Sequence, residues 1–403
     1  MAQEVAEGLR SPAAASGVAI NTWLVGVDEA KPPSGPASMQ RPRVLHVCEA
    51  LGGGVTTALI DFVKSAPSYE HHLIGRLRSA DDTGAQIESQ FASVTWLPGS
   101  IRGWRRTLQD RVRTLRPTVV HAHSSKSGAL VRVMPGLRTE HIVYSPHCYA
   151  FERRDVGRPV RLAYALAEWV LGRRSHWVAA VSPREAALAT RLCGVGRVAY
   201  VPNVVRLTAS PVTFGDPLTV VAAGRVTRQK DPDWFAAASA ASRALGSSAR
   251  WVWLGGGDPQ AVRRLEASGV TVTGWLSRER LLTAMAGANV YVHTAAWEGA
   301  PVSVLEAAAL GLPILGRRIP ALESLDVPGL CDTPSDLAQA VECMRQPEQW
   351  QSARAAARVL RDRHQPSAQV QALAELYMKV RRSGSAAYSH DLRGAEALRS
   401  RSA

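Results

Sequence analysis

Residues 201–217, VPNVVRLTASPVTFGDP, interrupt the chain between two series of short apolar segments. Three prolines and a glycine fall within this stretch, and those residues punctuate regular structure. Before it come VLHV (44–47), HHLIG (71–75), VTWL (94–97), TVVHAH (118–123), HIVYS (141–145), WVAAVS (177–182) and VAYVP (198–202). After it come LTVVAAG (218–224), RWVWLGG (250–256), VTVTGW (270–275), VYVHT (290–294) and PILG (313–316). Each is nearly continuous in apolar residues, the pattern of a strand covered on both faces. Helical segments lie between them, among them 56–65, 102–115, 160–173 and 183–193. Strands alternating with helices imply βαβ units and a parallel, doubly wound sheet. Two series imply an α/β chain of two Rossmann-like domains facing each other across a cleft. The expected boundaries are 41–205 for the N-terminal domain and 206–365 for the C-terminal one, with a hinge at 206–217. Residues 1–40, rich in Ala, Ser, Gly and Pro, read as a disordered leader. A helix over 366–383 is expected to pack back on the N-terminal domain, and 384–403 read as a disordered polar tail.

The composition supports this reading. The chain has 403 residues, 46% apolar and 20% charged, which excludes collagenous, coiled-coil and wholly disordered classes. Five cysteines without a CxxC pair argue against a disulfide framework or a structural zinc site and favour a reducing compartment. A net charge of +14 points to acidic partners. Only five of the 48 basic residues are lysines, so part of that charge reflects an Arg-rich composition. No stretch reads as a membrane span. Glu4 and Glu7 precede any basic residue, the wrong charge for a secretory signal. The expected location is the cytoplasm, with contact to the inner face of the cell membrane.

In open α/β sheets ligands bind beyond the carboxyl ends of the strands, so the segments after each strand hold the candidates. Gly52-Gly53-Gly54 follows the first strand; such glycines let backbone amides approach a ligand. The run is not GxGxxG, which disfavours a nicotinamide site. His121 and His123 share one strand face, and without a carboxylate pair nearby they read as packing and a polar strand tip rather than a metal site. Lys126 stands at a helix start as an anion contact, and His147, at the end of YSPH (144–147), as a polar anchor.

GRVTRQKDPD (224–233) places Arg225 and Lys230 at one loop mouth, a pair suited to a diphosphate. Asp231-Pro232-Asp233 is a DxD, but it coincides with a helix start, so it reads as a cap and not as a metal site. In HTAAWEGAPVSVLE (293–306), the turn at Glu298-Gly299-Ala300 and Pro301 opens a helix whose first amides form an anion site. Glu306 lies eight residues beyond Glu298, a rise of about 12 Å if helical. That spacing and the loop-and-helix placement argue against a glycosidase pair, so each Glu reads as an acceptor for ligand hydroxyls.

Taken in order, the Gly52–Gly54 turn, HAHSSKSG, YSPHCYAF, AVSPRE, VPN, AAGRVTRQKD, VWLGGGD and EGAPVSVLEAAALGLP resemble the retaining GT-B glycosyltransferases of family 4, the glycosyl transferases group 1. The likeness covers about residues 43–325 and is most specific at Arg225-x4-Lys230 and Glu298-x7-Glu306. It implies a metal-independent enzyme without a cofactor, whose co-substrate is a UDP- or GDP-linked sugar. Arg225 and Lys230 would hold the diphosphate, Glu306 the ribose, and Glu298 the donor sugar. Gly299 with the amides of Ala300 and Pro301's turn would bind phosphate or sugar. His147 would sit near the transferring sugar, and Gly52 and Gly53, with Lys126, would cover the donor and acceptor site. One departure stands out: Arg317-Arg318 occupies the place of a glycine pair, with Glu323 as the acidic residue that follows.

Two basic stretches, Arg102–Arg116 and Phe151–Arg174, could lie on an anionic leaflet. They imply a lipid-linked or growing saccharide as acceptor, as in exopolysaccharide or capsule assembly. Aromatics do not interleave with the basic residues as nucleic-acid stacking requires. The alternatives are a non-catalytic partner that binds nucleotide sugar or membrane, and a sugar-nucleotide epimerase on the same scaffold.

Overall fold

A computed structural model describes residues 41–78, 87–138, 141–174, 176–207 and 212–399. The expected leader at 1–40 and the middle of the expected hinge lie outside them. The chain clusters into two compact units. One is built from Met39–Glu152, Gly157–Asn203 and Pro366–Ala403, the other from Arg153–Val156 and Val204–Gln365.

The first unit holds seven strands, β1 (Arg43–Leu51), β2 (Glu70–Leu77), β3 (Ser93–Trp96), β4 (Val119–His123), β5 (Ile142–Ser145), β6 (Trp177–Ala180) and β7 (Val198–Tyr200). Its helices are α1 (Gly54–Ser65), α2 (Ile101–Leu115), α3 (Ser125–Arg132), α4 (Arg158–Gly172) and α5 (Pro183–Cys193). Every strand pair is parallel, in the order β3-β2-β1-β4-β5-β6-β7. The β4 strand is buried at all five positions, which is why its sequence shows no alternation.

The second unit repeats the plan with β8 (Thr219–Ala223), β9 (Arg250–Leu254), β10 (Thr271–Val272), β11 (Val290–His293), β12 (Ile314–Arg317) and β13 (Leu330–Cys331). Its helices are α6 (Pro232–Ala244), α7 (Pro259–Ala267), α8 (Arg278–Ala286), α9 (Val302–Leu310), α10 (Pro320–Ser324), α11 (Pro334–Cys343) and α12 (Pro347–Arg363). The order β10-β9-β8-β11-β12-β13 again reverses direction beside its first strand. A doubly wound sheet places its ligand crevice at that reversal. The reversals lie between β1 and β4 in the first unit and between β8 and β11 in the second, so in each unit the loops after those two strands hold candidate residues. The sequence expects a long strand over 270–275; only Thr271 and Val272 pair, because Gly274 turns the chain at φ +71°.

Helix α13 (Pro366–Arg399) belongs to the first unit. Gln369 is fully buried there, donating to the Pro202 carbonyl at 2.8 Å and accepting from Ser65 Oγ at 2.7 Å. The helix continues to Arg399, past residue 383, where the sequence reading ended it and began a disordered tail. The stretch Ser383–Arg399 contains two glycines, Gly384 and Gly394, but no proline, and glycine costs a helix about 1 kcal/mol where proline costs about 3.

Candidate active site

In the second unit, the loop from Gly224 to Asp231 passes from β8 into α6 and is stitched to the loop after β11. Ala296 N–H donates to Gln229 O at 2.9 Å, and Thr294 Oγ1 donates to Lys230 O at 2.7 Å. Glycines permit the close approach. A Cβ on Gly224 would lie 3.1 Å from Lys230 Cε, and one on Gly255 would lie 2.3 Å from Gly224 O. Both have positive φ, which only glycine adopts without cost.

Lys230 Nζ donates to Glu298 Oε1 at 2.6 Å, and Gln229 Nε2 donates to the Trp297 carbonyl at 3.1 Å. His293 Nε2 stands 3.6 Å from the same Glu298 oxygen. Burial alone would raise the Glu298 carboxyl; the Lys230 ammonium, with His293, outweighs it and holds the group at about 2. Burial lowers His293, and Lys230 lowers it further, so the ring is neutral at pH 7. Its Nε2 is buried without a hydrogen-bond partner among the described residues, although a 3.6 Å approach is close to bonding range. Beside it, Tyr291 reaches Ser303 Oγ at 2.8 Å and His293 Nδ1 at 3.1 Å. After burial, the charges of Glu306 and Glu298 also push its hydroxyl up; both carboxylates therefore act on one buried ring.

The turn Gly299, Ala300, Pro301 leads into α9, and Pro301 is its N-cap rather than its first helical residue. The first turn of a helix leaves N–H groups without intrahelical acceptors, and α9 has no acidic side chain there to occupy them. Glu306 lies on α9, 3% exposed, and accepts from Arg278 Nη1 at 2.6 Å. Arg225 is half-buried in the loop after β8.

The DxD carboxylates are engaged as a cap reading requires. Asp231 caps α6 from a left-handed backbone, accepting from Trp234 N–H at 3.2 Å and from Arg317 Nη1 at 2.6 Å. Asp233 pairs with Arg264 at 3.1 Å. Arg317, the departure noted in the sequence, thus anchors the Lys230 loop. Glu323 lies 3.7 Å from Arg318.

In the first unit, Gly52 and Gly53 have φ +151° and +55° and lead into α1, with Gly53 as its N-cap. Glu49 accepts from Ser124 Oγ at 2.6 Å and from Ser127 N–H and Oγ at 3.1 and 2.6 Å, tying this turn to the start of α3, where Lys126 is exposed. His147 and Cys148 both have positive φ, a strain that must be held in place. Glu185, 1% exposed on α5, does so by accepting from Cys148 N–H at 2.9 Å and Val181 N–H at 3.1 Å. Burial raises its carboxyl to about 7.

The structure therefore brings Lys230 and Glu298 into contact, places Glu306 on α9 and Arg225 in the loop after β8 of the same unit, and places Gly52, Gly53, Lys126 and His147 in the segments that follow β1, β4 and β5 of the first unit. Sequence reasoning missed Arg278, Gln229, Tyr291, Glu49 and Glu185. Ser124-x2-Ser127 opposite a strand-end Glu was a usable sign for Glu49. Arg278 carried none, because its partner lies 28 residues away.

Two family models match in succession. Residues 52–209 match Glycosyltransferase Family 4, and residues 217–346 match Glycosyl transferases group 1. With a GT-B fold behind both matches, the chain belongs to the group 1/family 4 glycosyltransferases. Among curated proteins it is 25% identical over 226 residues to the UDP-Gal:alpha-D-GlcNAc-diphosphoundecaprenol alpha-1,3-galactosyltransferase of Escherichia coli, covering 50% of this chain and 58% of that one. The chain thus spans little more than half the length of this relative. Among solved structures, Anabaena HepE in complex with UDP and glucose superposes with a TM-score of 0.67 at 16% identity, covering 83% of this chain and 98% of the other. Sucrose-phosphate synthase from Thermosynechococcus elongatus gives 0.61 at 16% identity, covering 88% and 100%. At such identities the structures speak for the fold.

Proposed function

We propose that the chain is a glycosyltransferase that moves a sugar from a nucleotide-diphosphate sugar to a hydroxyl acceptor. The observation that carries this reading is the grouping of Lys230, Glu298 and the opened start of α9 at the reversal of the second sheet. Departure of the nucleotide puts negative charge on the diphosphate. Fixed cations and helix-start amides stabilise that charge without reorganising. Lys230 and Arg225 serve the diphosphate, Glu306 the ribose, and Glu298 with the Gly299–Pro301 turn the donor sugar. The donor carries uridine or guanosine, and the reaction retains configuration, the leaving phosphate helping to deprotonate the acceptor. No metal or cofactor takes part. The galactosyltransferase and UDP-bound relatives named above support a nucleotide-sugar donor.

The acceptor is a lipid-linked or growing saccharide of the cell surface, brought to the first unit. Supporting this, Arg76 and Lys126 line an open surface groove together with Ile101, Trp104, Leu130 and Val133. Cations beside an apolar wall suit an anionic headgroup with a hydrocarbon tail. Among the described residues no helix is long and apolar enough to cross a membrane. On α4, however, Leu162, Leu166, Trp169 and Val170 are exposed by 71, 59, 46 and 52%, with Arg158 and Arg173 at its ends. This face supports peripheral contact with an anionic leaflet from the cytoplasmic side.

The test is release of nucleotide diphosphate from a panel of UDP- and GDP-sugars, with and without a membrane lipid extract. Acceptor-dependent release that falls in Lys230→Ala and Glu306→Ala is the expected result. Unchanged release in both variants refutes the site, and an isomerised sugar nucleotide without acceptor would favour the epimerase reading.

A further inference from the structure

The first unit contains a chain of imidazoles that the nucleotide-sugar site does not explain. His71 Nε2 lies 2.9 Å from the Ala66 carbonyl. His71 Nδ1 lies 3.0 Å from His46 Nε2, and His46 Nδ1 lies 3.0 Å from His123 Nε2. His123 Nδ1 in turn lies 3.0 Å from His147 Nε2. Four rings from four different segments thus join end to end between a backbone carbonyl and His147, the residue that the family resemblance implies lies near the transferring sugar.

A carbonyl oxygen only accepts, so His71 donates through Nε2–H. A neutral imidazole carries one proton, so His71 Nδ1 must accept, and His46 must donate to it through Nε2–H. The same count repeats at His123 and at His147. The rings are neutral because burial opposes the charged form; it lowers His46, His71, His123 and His147 alike, the last to about 4. Phe62, Phe91 and His121 pack against them, and His72 is a further titratable neighbour that acts on His46 and His71.

His46, His121 and His123 bring ring nitrogens within 4.8 Å of one another, a spacing open to a metal ion. The hydrogen bonds account for these nitrogens better. His121 Nε2 meets Ser145 Oγ at 2.9 Å, and Ser145 Oγ donates to the Ala179 carbonyl at 2.9 Å. His121 therefore donates through Nε2–H and accepts the Tyr377 hydroxyl at Nδ1, 2.9 Å away. All six nitrogens of the three rings have protein partners. The rings also stack, with interplanar angles of 30°, 25° and 26°, rather than converging edge-on.

We propose that His71, His46 and His123 are positioning residues that fix the tautomer of His147: the Ala66 carbonyl sets the direction of donation, and the relay delivers His147 with Nε2–H turned inward and Nδ1 as a bare acceptor. His147 then meets a ligand hydroxyl as an acceptor and never as a donor. The catalytic consequence rests on the proposed function; the tautomer does not.

The test is two-bond proton–nitrogen correlation NMR on the full chain with labelled histidine, from about pH 8 to about pH 5.5, across the ordinary histidine value of about 6.5. All four rings are expected as Nε2–H tautomers throughout. An Nδ1–H tautomer at any of the four, or titration of His147 near 6.5, overturns the relay. His71→Phe removes the anchor and should give a second His147 tautomer, with a loss on the order of tenfold in kcat/KM for the nucleotide sugar. His71→Gln, which keeps an amide donor and a carbonyl acceptor, should restore both. If His71→Phe leaves the His147 tautomer or turnover unchanged, the positioning role is wrong while the transferase reading stands. If the unaltered chain turns over no nucleotide sugar, the transferase reading fails and the tautomers still decide the relay.

Discussion

Lys230 and Glu298 are 68 residues apart in the chain and meet at 2.6 Å. One belongs to the loop after the first strand of the second sheet, the other to the loop after its fourth, so the contact spans the point where strand order reverses. The Glu298 carboxyl, held at about 2 against the 4.5 of an unperturbed group, contributes stability that is fully present above about pH 4.5 and is lost as the pH falls through 2. Lys230→Ala leaves that carboxylate buried without its cation, at a cost of roughly 3 kcal/mol. Melting temperatures of the variant and the unaltered chain between about pH 7 and about pH 3 should converge as Glu298 protonates in the variant. A gap that does not narrow on acidification would contradict the pairing.

Arg132 and Glu168 form a second buried pair, 2.9 Å apart with side chains 1% and 7% exposed, and Tyr144 donates to Glu168 at 3.1 Å. Glu168→Ala strands a buried guanidinium and should cost about 3–5 kcal/mol. Urea unfolding measures it. A change within about 0.5 kcal/mol, the size of an ordinary surface substitution, would show the pair to be absent.

Glu185 titrates in the opposite sense from Glu298. Burial raises its carboxyl to about 7, so the folded protein holds an extra proton between about 4.5 and 7 and loses stability as the pH rises through that window. Ionisation strengthens its hold on the strained His147–Cys148 backbone, because charged acceptors bind N–H groups more tightly. The pH profile of turnover should carry a limb near 7 that Glu185→Gln removes. A limb that survives the substitution belongs to another group.

The exposed apolar residues of α4 yield a prediction independent of turnover. Co-sedimentation with phosphatidylglycerol vesicles should be lost on Leu166→Asp with Trp169→Asp, while phosphatidylcholine vesicles recover little of either protein. Equal binding before and after substitution would remove α4 from the membrane account.

Most of the fold was legible because buried parallel strands are apolar throughout; VVHAH and TVVAA stand out from their surroundings in the sequence alone. Strand ends and short edge strands were not. Leu330–Cys331 pairs over two residues, too few to leave a periodicity. In the site, residues whose roles depend on a nearby backbone turn were readable, such as Asp231 before Pro232. Arg278 and Glu185 were not: the partner of Arg278 lies 28 residues away, and a Glu185 buried by tertiary packing has the same letter as one in water. The relay of His71, His46, His123 and His147 was equally hidden. Alternation placed His121 and His123 on one face, but the partners come from other strands and a loop.

The most direct test of the nucleotide site is thermal unfolding against UDP- and GDP-sugars. A donor at 100 times its Kd should stabilise the protein by about 2.7 kcal/mol, and Lys230→Ala and Glu306→Ala should each abolish most of that gain. Stabilisation by no nucleotide sugar, or an equal gain in both variants, would contradict the site.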